Sequence, residues 1–231
     1  GVSKSSIPGI GAEAAGPHVL QVLPSMEMGG VERGTVQTAA ALTAAGWRAT
    51  VASSGGLMTH ELDRARAQHV DLPLAVKRPF RMLRNSVALA NLIRRQGIDL
   101  VHARSRAPAW SSLSAARRTG KPFVTTFHNA YGHNWIKHYY NVVMAKGDRV
   151  IAISNFVSEH VRETYGVSDD RLLTIHRGID VNLFDPAKVS AERIIQISRG
   201  WRLIDDHPVI MLPGRFTSWK GQLVLIKALQ I

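Results

Sequence analysis

The sequence predicts an α/β fold built on a doubly wound parallel sheet, and two observations lead to this prediction. Short apolar runs, which are typical of buried strands, alternate with amphipathic stretches typical of helices from His18 onwards. Two of the amphipathic stretches end at a glycine, Gly46 and Gly97, as helices commonly do. Strands that alternate with helices are joined by right-handed crossovers into a parallel sheet, so we expect helices on both of its faces.

Each predicted element follows from its own pattern. The strands are short runs rich in branched and aromatic residues, and in chain order they are His18–Leu23, Trp47–Ala52, Ile98–Ala103, Phe123–Phe127, Arg149–Ile153, Leu172–Ile175 and Val209–Leu212. The helices have apolar residues at helical spacing, and in chain order they are Val31–Ala45, Leu83–Gln96, Trp110–Arg118, Trp135–Ala145, Val157–Tyr165, Ala191–Ile197 and Gln222–Ile231.

The length of 231 residues suits one large domain or two small ones. We predict a loose tail at 1–16, a first domain at 17–185, a linker at 186–207 and the start of a second domain at 208–231. One strand and one partial helix do not bury a core of their own. The last segment therefore either belongs to a truncated second domain or packs against the first one.

The formal net charge of +12 predicts anionic partners, which are nucleic acid, phosphorylated metabolites or an acidic membrane. Basic residues interleaved with aromatic platforms are absent, so nucleic acid is not expected.

The lack of cysteine excludes disulfides and is compatible with a cytoplasmic location. No apolar window reaches the roughly 18 residues of a spanning helix, so we expect membrane contact to be peripheral. Either lipid headgroups or solvent contact the cationic, partly apolar segment at 77–84.

Glycines and polar side chains follow several predicted strands, and in a parallel sheet these positions meet at one edge. Gly29 and Gly30 precede a helix, where they either bind an anion or form a tight turn, with Glu32 as a supporting residue. His128 follows Phe123–Phe127, so it is a hydrogen-bond donor or proton carrier for a ligand, or a structural residue. None of the ten histidines has the spacing of a metal motif, so no metal is expected.

Further polar residues are candidates for ligand contacts. Arg104 and Arg106 follow the third strand and bind an anionic acceptor or remain exposed charges. Asn129 and Tyr131, with His133 and Asn134, form a loop that recognises a hydroxylated ligand or is simply solvated. Near the end of the chain, Arg215 as a bidentate donor and Lys220 as a point charge suit a phosphate or diphosphate.

Five segments in this order resemble family-4 glycosyltransferases of the two-domain GT-B type: Gly29–Glu32 (GGVE), Thr125–Asn129 (TTFHN), Ala152–Phe156 (AISNF), His176–Asp180 (HRGID) and Gly214–Gly221 (GRFTSWKG). In HRGID, Gly178 suits a turn, and Asp180 caps it or faces the cleft. The resemblance runs from about Val19 to the last residue. The segment Val101–Ser111 (VHARSRAPAWS) is similar to bacterial members that build cell-surface polysaccharide or lipopolysaccharide.

The resemblance implies two Rossmann-like domains that face each other across a cleft, the second one truncated here. It implies a retaining, hexosyltransferase-like enzyme that moves a sugar from a nucleotide sugar to a hydroxyl acceptor, without a metal or other cofactor. Arg215, Lys220, Gly29 and Gly30 would bind the donor diphosphate, and His128 would be the catalytic residue near the donor sugar. The first domain would hold the acceptor, by way of the residues Arg104, Arg106, Asn129 and Tyr131.

One motif of the family falls outside the sequence. The acidic motif whose glutamates contact donor sugar and ribose would lie after Ile231, so we expect the 231-residue polypeptide to be inactive alone and the full-length protein to be active. A second enzymatic interpretation is a GT-B-related nucleotide-sugar epimerase. The non-enzymatic one is a module that binds polyanions through its positive charge. For the enzyme we expect a cytoplasmic location, with peripheral contact at the inner face of the membrane.

Overall fold

The computed structural model of the chain describes residues 16–76, 78–131, 135–203, 207–214, 216–217 and 220–230. The chain forms two compact units, Gly1–Arg177 and Gly178–Ile231. The division lies before the predicted end of the first domain at Asp185, and the predicted domain boundaries stay predictions.

The first unit contains seven strands: β1 His18–Val22, β2 Arg48–Ser53, β3 Gln68–Asp71, β4 Leu100–Ala103, β5 Phe123–Phe127, β6 Arg149–Ala152 and β7 Leu172–Thr174. All neighbouring strands pair in parallel, in the order β3-β2-β1-β4-β5-β6-β7. The strand order reverses between β1 and β4, which is where ligands commonly bind in such sheets. The predicted doubly wound parallel sheet is confirmed.

Helices connect the strands and continue into the second unit: α1 Gly30–Ala44, α2 Thr59–Arg64, α3 Pro79–Gln96, α4 Arg106–Thr119, α5 Trp135–Asn141, α6 Asn155–Tyr165, α7 Ala191–Gly200 and α8 Gln222–Ala228. Two short 3₁₀ helices lie at Val142–Lys146 and Pro186–Lys188. Helix α3 ends at Gly97 in the left-handed conformation (φ 62°), which a residue without Cβ adopts at little cost. None of the described helices combines the length and the apolar character needed to cross a membrane.

Two apolar clusters form the core of the first unit. One contains Leu20, Val22 and Ala52, and the other contains Ala49 and Val51. Successive side chains of a strand point to opposite faces, so the division of β2 between the clusters shows that both faces of the sheet are covered. This burial explains why the central strands have near-continuous apolar sequences.

The structure corrects several predicted elements of the first unit. Sequence reasoning missed both α2 and β3. Strand β3 (QHVD) is a short, partly polar edge strand without an apolar face, so it lacks the pattern by which the other strands were identified. Helix α3 begins at Pro79 rather than Leu83, since proline is well suited to the first turn of a helix. Helix α4 begins at Arg106 rather than Trp110. The helix predicted at Trp135–Ala145 ends at Asn141 and continues as the 3₁₀ helix.

The second unit differs from prediction at its supposed strand. Val209–Leu212 has no regular structure, and its four side chains are between 42% and 61% exposed. A strand needs neighbours to hydrogen bond with, and no residue described in the second unit belongs to a strand. The prediction of a buried strand there is therefore wrong, whereas the helix predicted after it is present as α8.

Candidate functional site

Four residues of the first unit meet at the carboxyl edge of the sheet, near the reversal of strand order. Gly30 begins α1, Arg104 follows β4, His128 follows β5 and Arg177 follows β7. Arg177 Nη2 donates to Nδ1 of His128 at 2.7 Å, and Nη1 of Arg177 lies against Gly30. The charge of Arg177 acts on Arg104, and the charge of Arg104 acts on His128. We call these four residues the edge cluster.

His128 is neutral at physiological pH. Burial, and then the charges of Arg104 and Arg177, lower the pKa of its imidazole from 6.5 to about 3. Because a guanidinium only donates hydrogen bonds, Nδ1 must be the acceptor and the ring proton must lie on Nε2. Nε2 is buried and has no described partner of normal hydrogen-bond geometry, although the backbone of Arg104 interacts with the ring. In this arrangement His128 accepts a hydrogen bond from Arg177, and its predicted catalytic role near the donor sugar stays a prediction.

The glycine pair permits close packing at the start of α1. A Cβ on Gly30 would collide with Nη1 of Arg177, and a Cβ on Gly29 would collide with Oε2 of Glu32. Gly29, the N-cap residue, has an extended backbone (φ 179°, ψ 172°) that does not itself require glycine, and a Cβ at either position would displace the flexible end of a side chain rather than backbone. Both glycines are exposed, and the first turn of a helix offers unpaired N–H groups to an anion.

Arg104 lies below the surface, with 7% of the residue exposed. Its Nη1 donates to Gln21 Oε1 at 3.0 Å and to Thr38 Oγ1 at 3.3 Å, and its Nε has no described partner. Burial, followed by the charge of Arg177, lowers the pKa of Arg104 to about 10. None of the ion pairs among the described residues includes Arg104. Its predicted contact with an acceptor stays a prediction.

Arg106 and Tyr131, both predicted to bind the acceptor, contact each other. Arg106 Cζ lies 4.4 Å from the centre of the Tyr131 ring, a cation–π distance, and Nη1 donates to Asn141 Oδ1 at 3.0 Å. Burial raises the pKa of the Tyr131 phenol to about 12. Asn129 is exposed. The acceptor-binding roles of these three residues stay predictions.

In the second unit Lys220 lies two residues before α8, whose N-cap is Gly221. The Lys220 Cδ is 3.9 Å from the position of a Cβ on Gly214, so the glycine loop and the lysine are neighbours. Arg215, His133 and Asn134 lie outside the described residues. The predicted role of Lys220 and Arg215 in binding a diphosphate stays a prediction.

Sequence reasoning missed Arg177, although it lies within the HRGID segment. Of that segment only Gly178 and Asp180 received a role, and Asp180 Oδ1 accepts from the backbone N–H groups of Asn182 and Leu183 at 2.9 and 3.2 Å, as a turn cap does. A long basic side chain just after the last strand was the available signal. The contact between Arg177 and His128 could not be inferred from the sequence, because the two residues are 49 positions apart. Within the described residues, no three His, Asp or Glu side chains are grouped as metal ligands would be.

Comparison with protein families matches residues 28–183 to the model of Glycosyltransferase Family 4. Comparison with curated proteins gives no significant match. Among solved structures, a glycosyltransferase from Rickettsia africae ESF-5 is similar with a TM-score of 0.82 and 40% sequence identity, over 94% of this chain and 57% of that one.

Two more distant structures show the same fold. Anabaena HepE, solved in complex with UDP-glucose, matches with a TM-score of 0.74 at 20% identity, over 92% of this chain and 57% of that chain. Sucrose-phosphate synthase from Thermosynechococcus elongatus matches with a TM-score of 0.71 at 17% identity, over 93% of this chain and 60% of that chain. These similarities confirm the predicted GT-B type of fold. The chain spans less than two thirds of the length of these relatives.

Proposed function

Since this chain belongs to glycosyltransferase family 4, we propose that the full-length protein is a retaining glycosyltransferase, hexosyltransferase-like in its specificity. It moves a sugar from a nucleotide sugar to a hydroxyl acceptor. Besides family membership, the edge cluster is the observation that supports this most: two arginines and an exposed glycine at a helix start lie together, and the histidine between them is uncharged. Such a surface suits a group with several negative oxygens.

The chemistry requires that surface. The bond between the anomeric carbon and the phosphate oxygen breaks, and the departing nucleoside diphosphate keeps the electron pair. The acceptor oxygen bonds to the anomeric carbon on the same face, and its proton passes to the diphosphate oxygen, so the configuration is retained. Fixed cations and backbone N–H groups stabilise the charge that develops on the leaving group. Gly29 and Gly30, with Arg215 and Lys220, are the proposed donor-binding residues, and no metal or other cofactor is required.

A nucleotide sugar is the proposed donor because HepE, which shares this fold, was crystallised with UDP and UDP-glucose. Arg104, Arg106, Asn129 and Tyr131 are the proposed acceptor residues, and the two arginines favour an anionic or lipid-linked acceptor. The segment Val101–Ser111 supports a role in bacterial polysaccharide or lipopolysaccharide synthesis.

We propose a cytoplasmic enzyme with peripheral contact to the acidic inner face of the membrane. Helix α3 contains no acidic residue, and its first turns expose Phe80, Leu83, Arg81 and Arg84. Apolar side chains among arginines suit the interface of an anionic bilayer. Binding to vesicles that contain phosphatidylglycerol, compared with neutral vesicles, tests this contact.

The test of the catalytic function uses the full-length protein with a panel of nucleotide sugars and hydroxyl acceptors. We expect release of nucleoside diphosphate together with a glycoside of retained anomeric configuration. Gly30→Val should lower kcat/KM by at least about 100-fold, because its side chain would displace Arg177 and block the helix start. Gly200→Ala is the matched control, since a Cβ there meets nothing within 4 Å.

Two other outcomes would contradict this function. Conversion of a nucleotide sugar into its epimer without an acceptor would indicate the epimerase. Salt-sensitive binding of unrelated polyanions, with no turnover of any nucleotide sugar, would indicate the polyanion-binding module.

A further inference from the structure

Arg177 is an exposed cation whose position is fixed by one neutral partner. Its described hydrogen bond is the one from Nη2 to Nδ1 of His128, at 2.7 Å. None of the ion pairs among the described residues includes it. Glu32 is near enough to raise the pKa of Arg177, although burial outweighs that effect and the pKa is lowered. The guanidinium of Arg177 is therefore exposed and forms no ion pair with a carboxylate among the described residues.

The partner explains why that charge stays available. A carboxylate at this position would neutralise the guanidinium, whereas a neutral imidazole directs it without cancelling its charge. His128 itself is rigidly placed, because it directly follows the central strand β5 and is 8% exposed. Its Nδ1 is occupied by Arg177, and its Nε2 is buried. No ring nitrogen of His128 is therefore available to a ligand.

A second cation, Arg104, lies near Arg177, and no carboxylate is described beside it. Arg104 is more than nine-tenths buried, its Nε has no described partner, and it pairs with the neutral side chains of Gln21 and Thr38. A buried charge without a counter-charge is costly. An anion bound at Arg177 and Gly30 would supply that counter-charge, since Arg104 is close enough for the charge of Arg177 to lower its pKa.

We propose that Arg177 binds the anionic group of the ligand at this edge, together with the start of α1 at Gly30, and that His128 is the positioning residue that holds Arg177 there. The ligand class is a phosphate or diphosphate. Its assignment to the sugar donor rests on the proposed function, whereas binding of the anion does not.

The test is a calorimetric titration of the full-length protein with inorganic pyrophosphate at constant ionic strength. Arg177→Met should weaken binding by about tenfold or more, which corresponds to about 1.4 kcal/mol. Arg177→Lys should have an intermediate effect, because lysine keeps the charge but not the fork. Arg95→Met is the charge-matched control: Arg95 is exposed on α3, and a distant screened charge should change the Kd by less than about twofold.

Variants of His128 separate positioning from direct contact. His128→Leu removes the acceptor and should weaken pyrophosphate binding about as much as Arg177→Met. His128→Asn offers an amide oxygen near the former Nδ1 and should restore affinity to within about threefold of wild type. In the double variant Arg177→Met/His128→Leu the loss should not exceed that of Arg177→Met alone, since coupled residues are not additive. Glu32→Gln should strengthen binding by removing a competing negative charge.

Specific results would overturn the proposal. It fails if wild type does not bind pyrophosphate, if Arg177→Met behaves like Arg95→Met, or if His128→Leu weakens binding while Arg177→Met does not. Arg177 is on the surface, so its variants keep the test valid if His128→Leu does not fold. Pyrophosphate binding with this pattern but no glycosyl transfer would refute the proposed function alone. Transfer that is insensitive to Arg177→Met would refute this inference alone.

Discussion

The same sequence pattern, an apolar run followed by a glycine loop and a helix, occurs in both units with different results. In the first unit the run forms β1, which pairs with β2 and β4 and is fully buried. In the second unit Val209–Leu212 remains irregular and exposed. The helices α1 and α8 form in both cases. A helix satisfies its hydrogen bonds within itself, whereas a strand depends on neighbours.

The two units have similar helix caps, but the capped helices differ in burial. Ser154 Oγ accepts from the Val157 N–H at 3.2 Å to begin α6, and Ser190 Oγ accepts from the Arg193 N–H at 3.3 Å to begin α7. The local signal is the same in both units, but α6 buries Val157 and Val161 while α7 has no buried residue. Tertiary packing, rather than the local signal, therefore distinguishes the two units.

Truncation of apolar side chains should give the largest difference between the units. Phe123→Ala should lower the free energy of unfolding by about 3–5 kcal/mol, because Phe123 is fully buried in β5. In the same 231-residue chain, Ile210→Ala, at a position that is 61% exposed, should change it by less than about 0.5 kcal/mol. Urea unfolding followed by circular dichroism measures both. Equal losses would contradict the difference in burial between Phe123 and Ile210.

Acid should destabilise the first unit, which holds all the buried histidines of the described residues: His18, His102 and His128. Because burial lowers the pKa of His128 from 6.5 to about 3, the unfolded state binds more protons below pH 6.5. Its contribution to stability is complete above about pH 6.5 and is lost as the pH falls towards 3. Between pH 7 and pH 5, His128 alone should lower the free energy of unfolding by about 2 kcal/mol.

Burial also lowers the pKa of His102, so this residue too should lower the free energy of unfolding as the pH falls. Urea midpoints at pH 7, 6 and 5 measure the combined slope. His128→Asn should have a shallower slope than wild type. An unchanged slope in that variant would mean that His128 is not neutral in the folded protein.

Removal of the helix caps should have the smallest effect and should still differ between the units. Ser154→Ala should lower the free energy of unfolding of the first unit by about 1 kcal/mol, because α6 is packed on the sheet. Ser190→Ala should leave that free energy unchanged and reduce only the helical circular dichroism signal from α7. A global destabilisation by Ser190→Ala would show that α7 contributes to the packed core.

Much of the first unit could be predicted from the sequence, because its strands are buried and therefore apolar. The prediction of β5 was correct in both bounds. Strand β3 was not predicted, because an edge strand does not need an apolar sequence. The strand at Val209–Leu212 was predicted wrongly, because an apolar run does not indicate whether neighbouring strands are present.

In the candidate site, too, the positions of residues could be predicted from the sequence, whereas their contacts could not. Gly30, Arg104 and His128 were placed at the sheet edge from the sequence, because each follows a strand, and the structure brings them together. The contact between Arg177 and His128 could not be predicted, since it depends on how the chain leaves β7. Neither could the burial of Arg104 behind α1 or the packing of Arg106 on Tyr131.

The sequence by itself determined the period of each element, the order of helices and strands, and the family to which the chain belongs, because these depend on residues that are near in the chain. The tertiary structure alone decided which strands find neighbours, which charges lose their water and which side chain each buried group contacts. His128 is the example: its position could be predicted from the sequence, but its neutral state depends on burial and on the charges of Arg104 and Arg177. These effects act through space, between residues far apart in the chain.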